Sequence, residues 1–107
     1  MGNNRTDQPI LSAIRYAVVV TDKGGTKFVR AKANGHPTVR VCTPPLADDI
    51  IRDIVLFHST EIAECYRKDT VDLVKRDFGN TRICPRPPFK AEVFSVYFTI
   101  GLGICNR

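Results

Sequence analysis

Three sets of residues in this 107-residue chain are of types that do chemistry: four cysteines (Cys42, Cys65, Cys84 and Cys105), two histidines (His36 and His58), and Glu61, three positions after His58. The cysteines lie 23, 19 and 21 positions apart. A zinc site usually draws its ligands in close pairs, because a tight turn presents two thiolates to one ion, and this spacing has no such pair. No metal site is therefore expected. Nor is a cofactor, since Gly24-Gly25 is followed by neither a helix nor the Lys-Ser/Thr of a phosphate loop. An even cysteine count in a short chain favours a disulfide framework in an oxidising compartment, ahead of buried free thiols. Two intramolecular bridges are expected. Three connectivities remain open, with Cys42–Cys105 and Cys65–Cys84 slightly preferred, and a Cys65–Cys84 loop would contribute about 3 kcal/mol in the chain-entropy model.

His58 and Glu61 have the spacing of an acid–base pair on one helix face. With an arginine holding phosphate, such a pair can cleave RNA. The plainer reading packs His58 with one nitrogen hydrogen-bonded, and it is preferred. His36, in a Gly-His-Pro turn, is the second base such an enzyme would need, and is otherwise a turn residue. The expectation is a protein without catalytic activity.

Charge points to binding. The net charge is +5 and is unevenly spread: Arg15, Lys23, Lys27, Arg30, Lys32 and Arg40 are opposed only by Asp22 between Ile14 and Val41. From Leu46 to Phe78 acidic residues outnumber basic ones, eight to five. Arg15, Lys27, Arg30, Lys32 and Arg40 are the candidate binding residues, a basic surface able to meet an acidic partner. Interleaved with Tyr16 and Phe28, the same surface could hold single-stranded nucleic acid by stacking and phosphate contacts, although the chain has no Trp and no RNP-like aromatic pair.

The opening MGNNRT offers three addresses: a myristoylation pattern (Gly2 with Thr6), a glycosylation sequon (Asn4-Arg5-Thr6), or a start residue and glycine standing in place of a removed signal peptide. The third agrees with disulfide-type cysteine usage, so a secreted protein is expected. No apolar run approaches the ~20 residues of a membrane helix.

The elements that must position these residues follow from periodicity. A hydrophobic fraction of 43% with 25% charged residues is ordinary for a folded chain, so one domain over 10–107 is expected, after a polar tail over 1–9. Ile14–Thr21, Thr26–Lys32 and Thr38–Cys42 form a three-stranded meander turned at Gly24-Gly25 and Asn34-Gly35. Thr43-Pro44 opens a long amphipathic helix over 46–68, with Asp53–Phe57 as a strand the competing reading. Thr70–Phe78 reads either as a short helix stopped by Gly79 or as part of a hairpin. Pro85–Pro88 is an extended connection, and Phe89–Ile100, apolar on both faces, is a central strand. The fold class is α+β: an antiparallel sheet of four to five strands packed by one long helix. Ile50, Ile51, Ile54 and Ile62 of the helix should meet Val18, Val20, Phe28, Val39, Phe94, Val96 and Phe98 of the sheet.

A compact α+β chain with four scattered cysteines, a basic hairpin and no enzyme motif resembles the small secreted effector-type proteins of plant-pathogenic fungi. That resemblance implies a virulence protein acting by binding a host macromolecule, in the first place a protein. The hairpin from Arg15 to Cys42 also resembles the closing hairpin of small fungal guanyl-specific ribonucleases. There it ends the chain, and the Glu-Arg-His set of that family has no counterpart here. A small ribonuclease or RNA-binding domain is the alternative expectation.

Overall fold

The computed structural model describes residues 11–42 and 53–100. The predicted tail over 1–9, Ile50, Ile51 and Cys105 lie outside the described residues, as does the side chain of Phe98. Four strands, β1 (Leu11–Thr21), β2 (Lys27–Ala33), β3 (His36–Cys42) and β4 (Lys90–Ile100), form one antiparallel sheet in the order β3-β2-β1-β4. Two helices, α1 (Thr60–Cys65) and α2 (Arg67–Phe78), lie between β3 and β4 in the chain. The fold is α+β.

The meander forms where β-branched runs and turn residues predict it. Asn34 (φ 53°) and Gly35 (φ 79°) both adopt positive φ, as a two-residue turn compatible with strand twist requires. At the other turn Asp22 holds the loop. One carboxylate oxygen accepts from the Thr26 amide at 2.9 Å and the other from the Arg86 amide at 3.2 Å, tying the β1–β2 turn to the chain that leads into β4.

The sheet opens in its middle. β1 pairs with β2 only from Val19 to Thr21, and beyond that point the strands diverge. The segment Asp53–Phe57 fills the gap. Phe57 exchanges both backbone hydrogen bonds with Tyr16 of β1, while Val55 donates to the Arg30 carbonyl of β2 and Lys32 donates to the Asp53 carbonyl. Extended pairing on both sides is incompatible with a helix, so the expected helix over 46–68 is corrected here. Residues 53–57 follow strand geometry, and helical structure begins at Thr60 after an N-cap in which Ser59 Oγ accepts from the Ile62 amide. The apolar run satisfied both periods, and the open backbone groups of β1 and β2 decided between them.

α1 ends at Tyr66 (φ −101°, ψ 4°), and α2 then runs to Phe78, closing with the Gly79 amide on the Lys75 carbonyl at 3.0 Å. The helix that packs on the sheet is therefore α2. Leu73 and Val74 lie in one cluster with Val20, Phe28 and Val39, bordered by Val71, Phe78 and Phe89. On the opposite sheet face Ala17, Val19, Val29, Cys42, Ile54 and Val96 form a second cluster, with Leu56 and Phe94 against it. Ile54 is buried as expected, but from an extended segment; Ile62 is 47% exposed and is no part of either core.

The reading of 89–100 as a central strand is also corrected. Among the described residues β4 pairs only with β1, so it is an edge of the described sheet, and β1 is flanked on both sides. Its second apolar face is partly open: Tyr97 is 72% exposed.

Candidate functional site

Where β1 and β2 part, Val55 and Phe57 alternate toward the α2 side of the sheet, and Ile54 and Leu56 toward the other. The α2-side residues floor a cleft of about 240 Å³ lined by Arg30, Lys32, Gly35, Pro37, Val55, Phe57 and Tyr66. The Phe57 and Tyr66 rings stack, with centroids 4.8 Å apart and planes inclined by 22°. The Arg30 guanidinium lies 4.7 Å from the Tyr66 ring centroid, in cation–π geometry.

Arg30 is buried, and its charge is held. Nη1 donates to Asp69 Oδ2 at 2.6 Å and to Thr70 Oγ1 at 3.3 Å, and the Thr70 hydroxyl in turn donates to the Tyr66 carbonyl at 2.6 Å. Arg30 thus fixes the ring at the helix junction more than it offers a charge to solvent. Lys32 differs: it is exposed at the cleft and has no ion pair among the described residues.

The five predicted binding residues do not form one surface. Strand register puts Arg15, Lys27 and Arg40 on the side of Val19 and Val29, and Arg30 and Lys32 on the α2 side. Lys27 Nζ donates to Thr21 Oγ1 at 2.9 Å, Arg40 Nη1 pairs with Asp53 Oδ2 at 2.5 Å, and Arg15 Nη1 donates to the Ile14 carbonyl at 2.9 Å. The structure brings only Arg30 and Lys32 to the cleft.

The residues of the alternative catalytic reading are not joined by hydrogen bonds among the described residues. His58 is an exposed residue ahead of α1, not part of an apolar stripe, and Glu61 is exposed in the first turn with Thr60 Oγ1 near its carboxylate at 3.4 Å. His36 opens β3, exposed, between the cleft residues Gly35 and Pro37. No hydrogen bond links His36, His58 and Glu61 among the described residues. Sequence reasoning missed Phe57 and Tyr66. The signal for Phe57 is the strand alternation of 53–57; Tyr66 falls within the helix expected over 46–68.

The cysteines also depart from expectation. Cys42, Cys65 and Cys84 are free thiols, so the preferred Cys65–Cys84 bridge is not formed, while Cys42–Cys105 involves a residue outside those described. Cys65 and Cys84 are exposed, and their Sγ atoms approach the carbonyls of Glu61 and Gly79 at 3.3 and 3.4 Å. Cys42 is buried; burial pushes its thiol pKa up, partly opposed by the Lys27 ammonium across the strand pair. A high pKa and no access make a thiol inert. Brief iodoacetamide treatment of the native protein should therefore label Cys65 and Cys84 and spare Cys42 until the chain is unfolded, as read by peptide mass mapping. Labelling of Cys42 at the rate of the other two would contradict its place in the core.

At the C-terminal end of α2, Asp77 is held below its ordinary value by Arg76, with a further hydrogen bond from the Thr38 hydroxyl at 2.6 Å, against the opposing effect of burial. This pins β3 to the helix. Among the described residues no three His, Cys, Asp or Glu side chains converge as metal ligands, and no helix is long and apolar enough to cross a membrane. No protein-family model, curated protein or solved structure matches the chain.

Proposed function

We propose that the protein is a binding module whose cleft takes one acidic residue from an exposed segment of a partner protein. The observation that carries this is the Lys32 ammonium, unpaired among the described residues, beside an aromatic wall fixed by Arg30. Small-molecule sites run from about 300 to 1,000 Å³. At about 240 Å³ this cleft lies just below that range, a size that suits a single side chain of a larger partner. An aromatic wall lowers the local dielectric, so a carboxylate meeting Lys32 there gains more than it would in open water.

The alternative, RNA held along a basic sheet face, finds less support. Tracking a phosphate backbone needs cations along one groove, and here the basic side chains are divided between two faces, with Arg30 and Arg40 already ion-paired. The effector-type reading, with a host protein as partner outside the producing cell, is carried forward within this proposal. What supports secretion is the even cysteine count alone, and the free thiols at Cys42, Cys65 and Cys84 add nothing to it.

A fluorescent oligo-glutamate peptide and a single-stranded oligo-uridine, titrated side by side, test the proposal. The peptide should bind, its affinity should fall with salt, and Lys32→Glu should weaken it by about tenfold or more while leaving the thermal midpoint nearly unchanged, because Lys32 is exposed. Tighter binding of the RNA, or peptide binding indifferent to Lys32→Glu, would overturn it.

A further inference from the structure

We propose that the outer edge of β4 pairs with β4 of a second copy of this chain, antiparallel, about a two-fold axis at Ser95. The geometry begins in β1. Tyr16 directs its amide and carbonyl toward Phe57, on the β2 side. Alternate residues of a strand point these groups to opposite edges, so Arg15, Ala17, Val19 and Thr21 face β4. Their partners Val96, Phe94, Glu92 and Lys90 therefore point inward, and Ala91, Val93, Ser95 and Tyr97 point outward.

Arg67 confirms this orientation. Its Nε and Nη2 donate to the Ala91 carbonyl at 3.0 and 2.6 Å, occupying the first outward acceptor. Beyond it, the outward groups of Val93, Ser95 and Tyr97 take no backbone partner from the described residues.

An open edge normally carries lysine, proline or a cover that discourages pairing. The other edge of this sheet, β3, has Pro37 and Arg40. From Val93 to Ile100, β4 has no charged residue and no proline. Beside this edge stands an apolar pair, Tyr97 and its direct cross-strand partner Ile14, which are 72% and 42% exposed.

Charge and register select a second copy as the occupant. Two copies with a net charge of +5 repel one another over most orientations, and an uncharged edge is where they can meet. Beyond Val93 the strand itself offers no cation to an acidic partner; Arg15, opposite Val96, belongs to β1. Placing the axis at Ser95 sets each Tyr97 opposite Val93 of the other copy and each Phe94 opposite Val96, aromatic against β-branched on both faces. Ala91 falls opposite Thr99, where Arg67 closes the ladder at each end. The contact is isologous and self-limiting, and it joins two four-stranded sheets into one. It uses none of the cleft residues and stands independently of the cleft's function.

Sedimentation velocity over roughly 1 µM to 1 mM protein tests the proposal, with Tyr97→Lys and Ser95→Pro as variants. Tyr97 is exposed, so the lysine leaves the fold intact. Proline at Ser95 removes an outward donor that an edge strand does not need for its own pairing. The wild-type chain should form a dimer, each variant should associate at least about tenfold more weakly, and hydrogen exchange should show the Val93, Ser95 and Tyr97 amides protected only in the dimer. A monomer across the whole range would overturn it. So would a dimer insensitive to both variants, or protection of those amides in the monomer.

Discussion

Phe28→Ala is expected to destabilise the protein by about 3–5 kcal/mol, the range for removing a fully buried aromatic ring. Phe28 has no exposed surface, lies in one cluster with Val20, Val39, Leu73 and Val74, and meets the Phe78 ring at a centroid distance of 5.1 Å. It sits on an inner strand of the sheet with α2 packed over it, so removing the ring leaves a cavity in that cluster. Such a loss is a large share of the ~5–15 kcal/mol that a domain has in total. Ile62→Ala is the matched control. A helix over 46–68 would make Ile62 a core residue, whereas its 47% exposure predicts a change of about 1 kcal/mol or less. Urea unfolding of the two variants, compared at equal m-value, separates these arrangements. Equal damage from both substitutions would return Ile62 to the core and remove α2 from its place over Phe28.

That contrast shows what was legible in the chain and what was not. The meander was legible because its information is local: β-branched runs alternate and Asn34-Gly35 specifies its own turn. α2 was half legible, since Val71, Val74 and Phe78 recur at helical spacing before Gly79, but the same residues could also end a hairpin. The segment 53–57 was misassigned because Ile54 and Val55 serve either period. What chose between them is the parting of β1 from β2 before Val19, a feature of strand pairing that leaves no trace in residues 53–57 themselves. The central position given to β4 failed for a related reason. Apolar residues on both faces mark a strand that needs cover, and Tyr97 shows that they do not say whether the cover lies within the same chain.

The candidate site was legible in type and not in layout. Basic residues at Arg30 and Lys32 were expected to bind, yet register divides the five candidates between two faces and leaves one at the cleft that is both exposed and without an ion pair among the described residues. The wall they work with depends on Tyr66 leaving the helical conformation, which the helix expected over 46–68 conceals. Cysteine count likewise reports the number of thiols and not their separation, and Cys42 is committed to the core beside Val29 and Ile54.

Asp69→Ala is expected to cost about 2 kcal/mol, more than loss of an exposed ion pair, because the group left behind is the buried one. The Arg30 side chain is 8% exposed against 56% for Asp69. With the carboxylate gone, the guanidinium keeps one neutral acceptor, Thr70 Oγ1, and the face of Tyr66. Arg30→Met removes the charge along with its need for a partner and leaves Asp69 in water, so its cost should be smaller, about 1 kcal/mol. The double variant should then be more stable than Asp69→Ala alone, an inversion that independent sites cannot produce. Thermal and urea unfolding of the four proteins close the cycle. Simple addition of the two losses would mean that Arg30 does not depend on Asp69, and Tyr66 would need another anchor. The inversion would show that a buried cation, held by one carboxylate of α2, keeps the helix junction against the open sheet and the cleft in its shape.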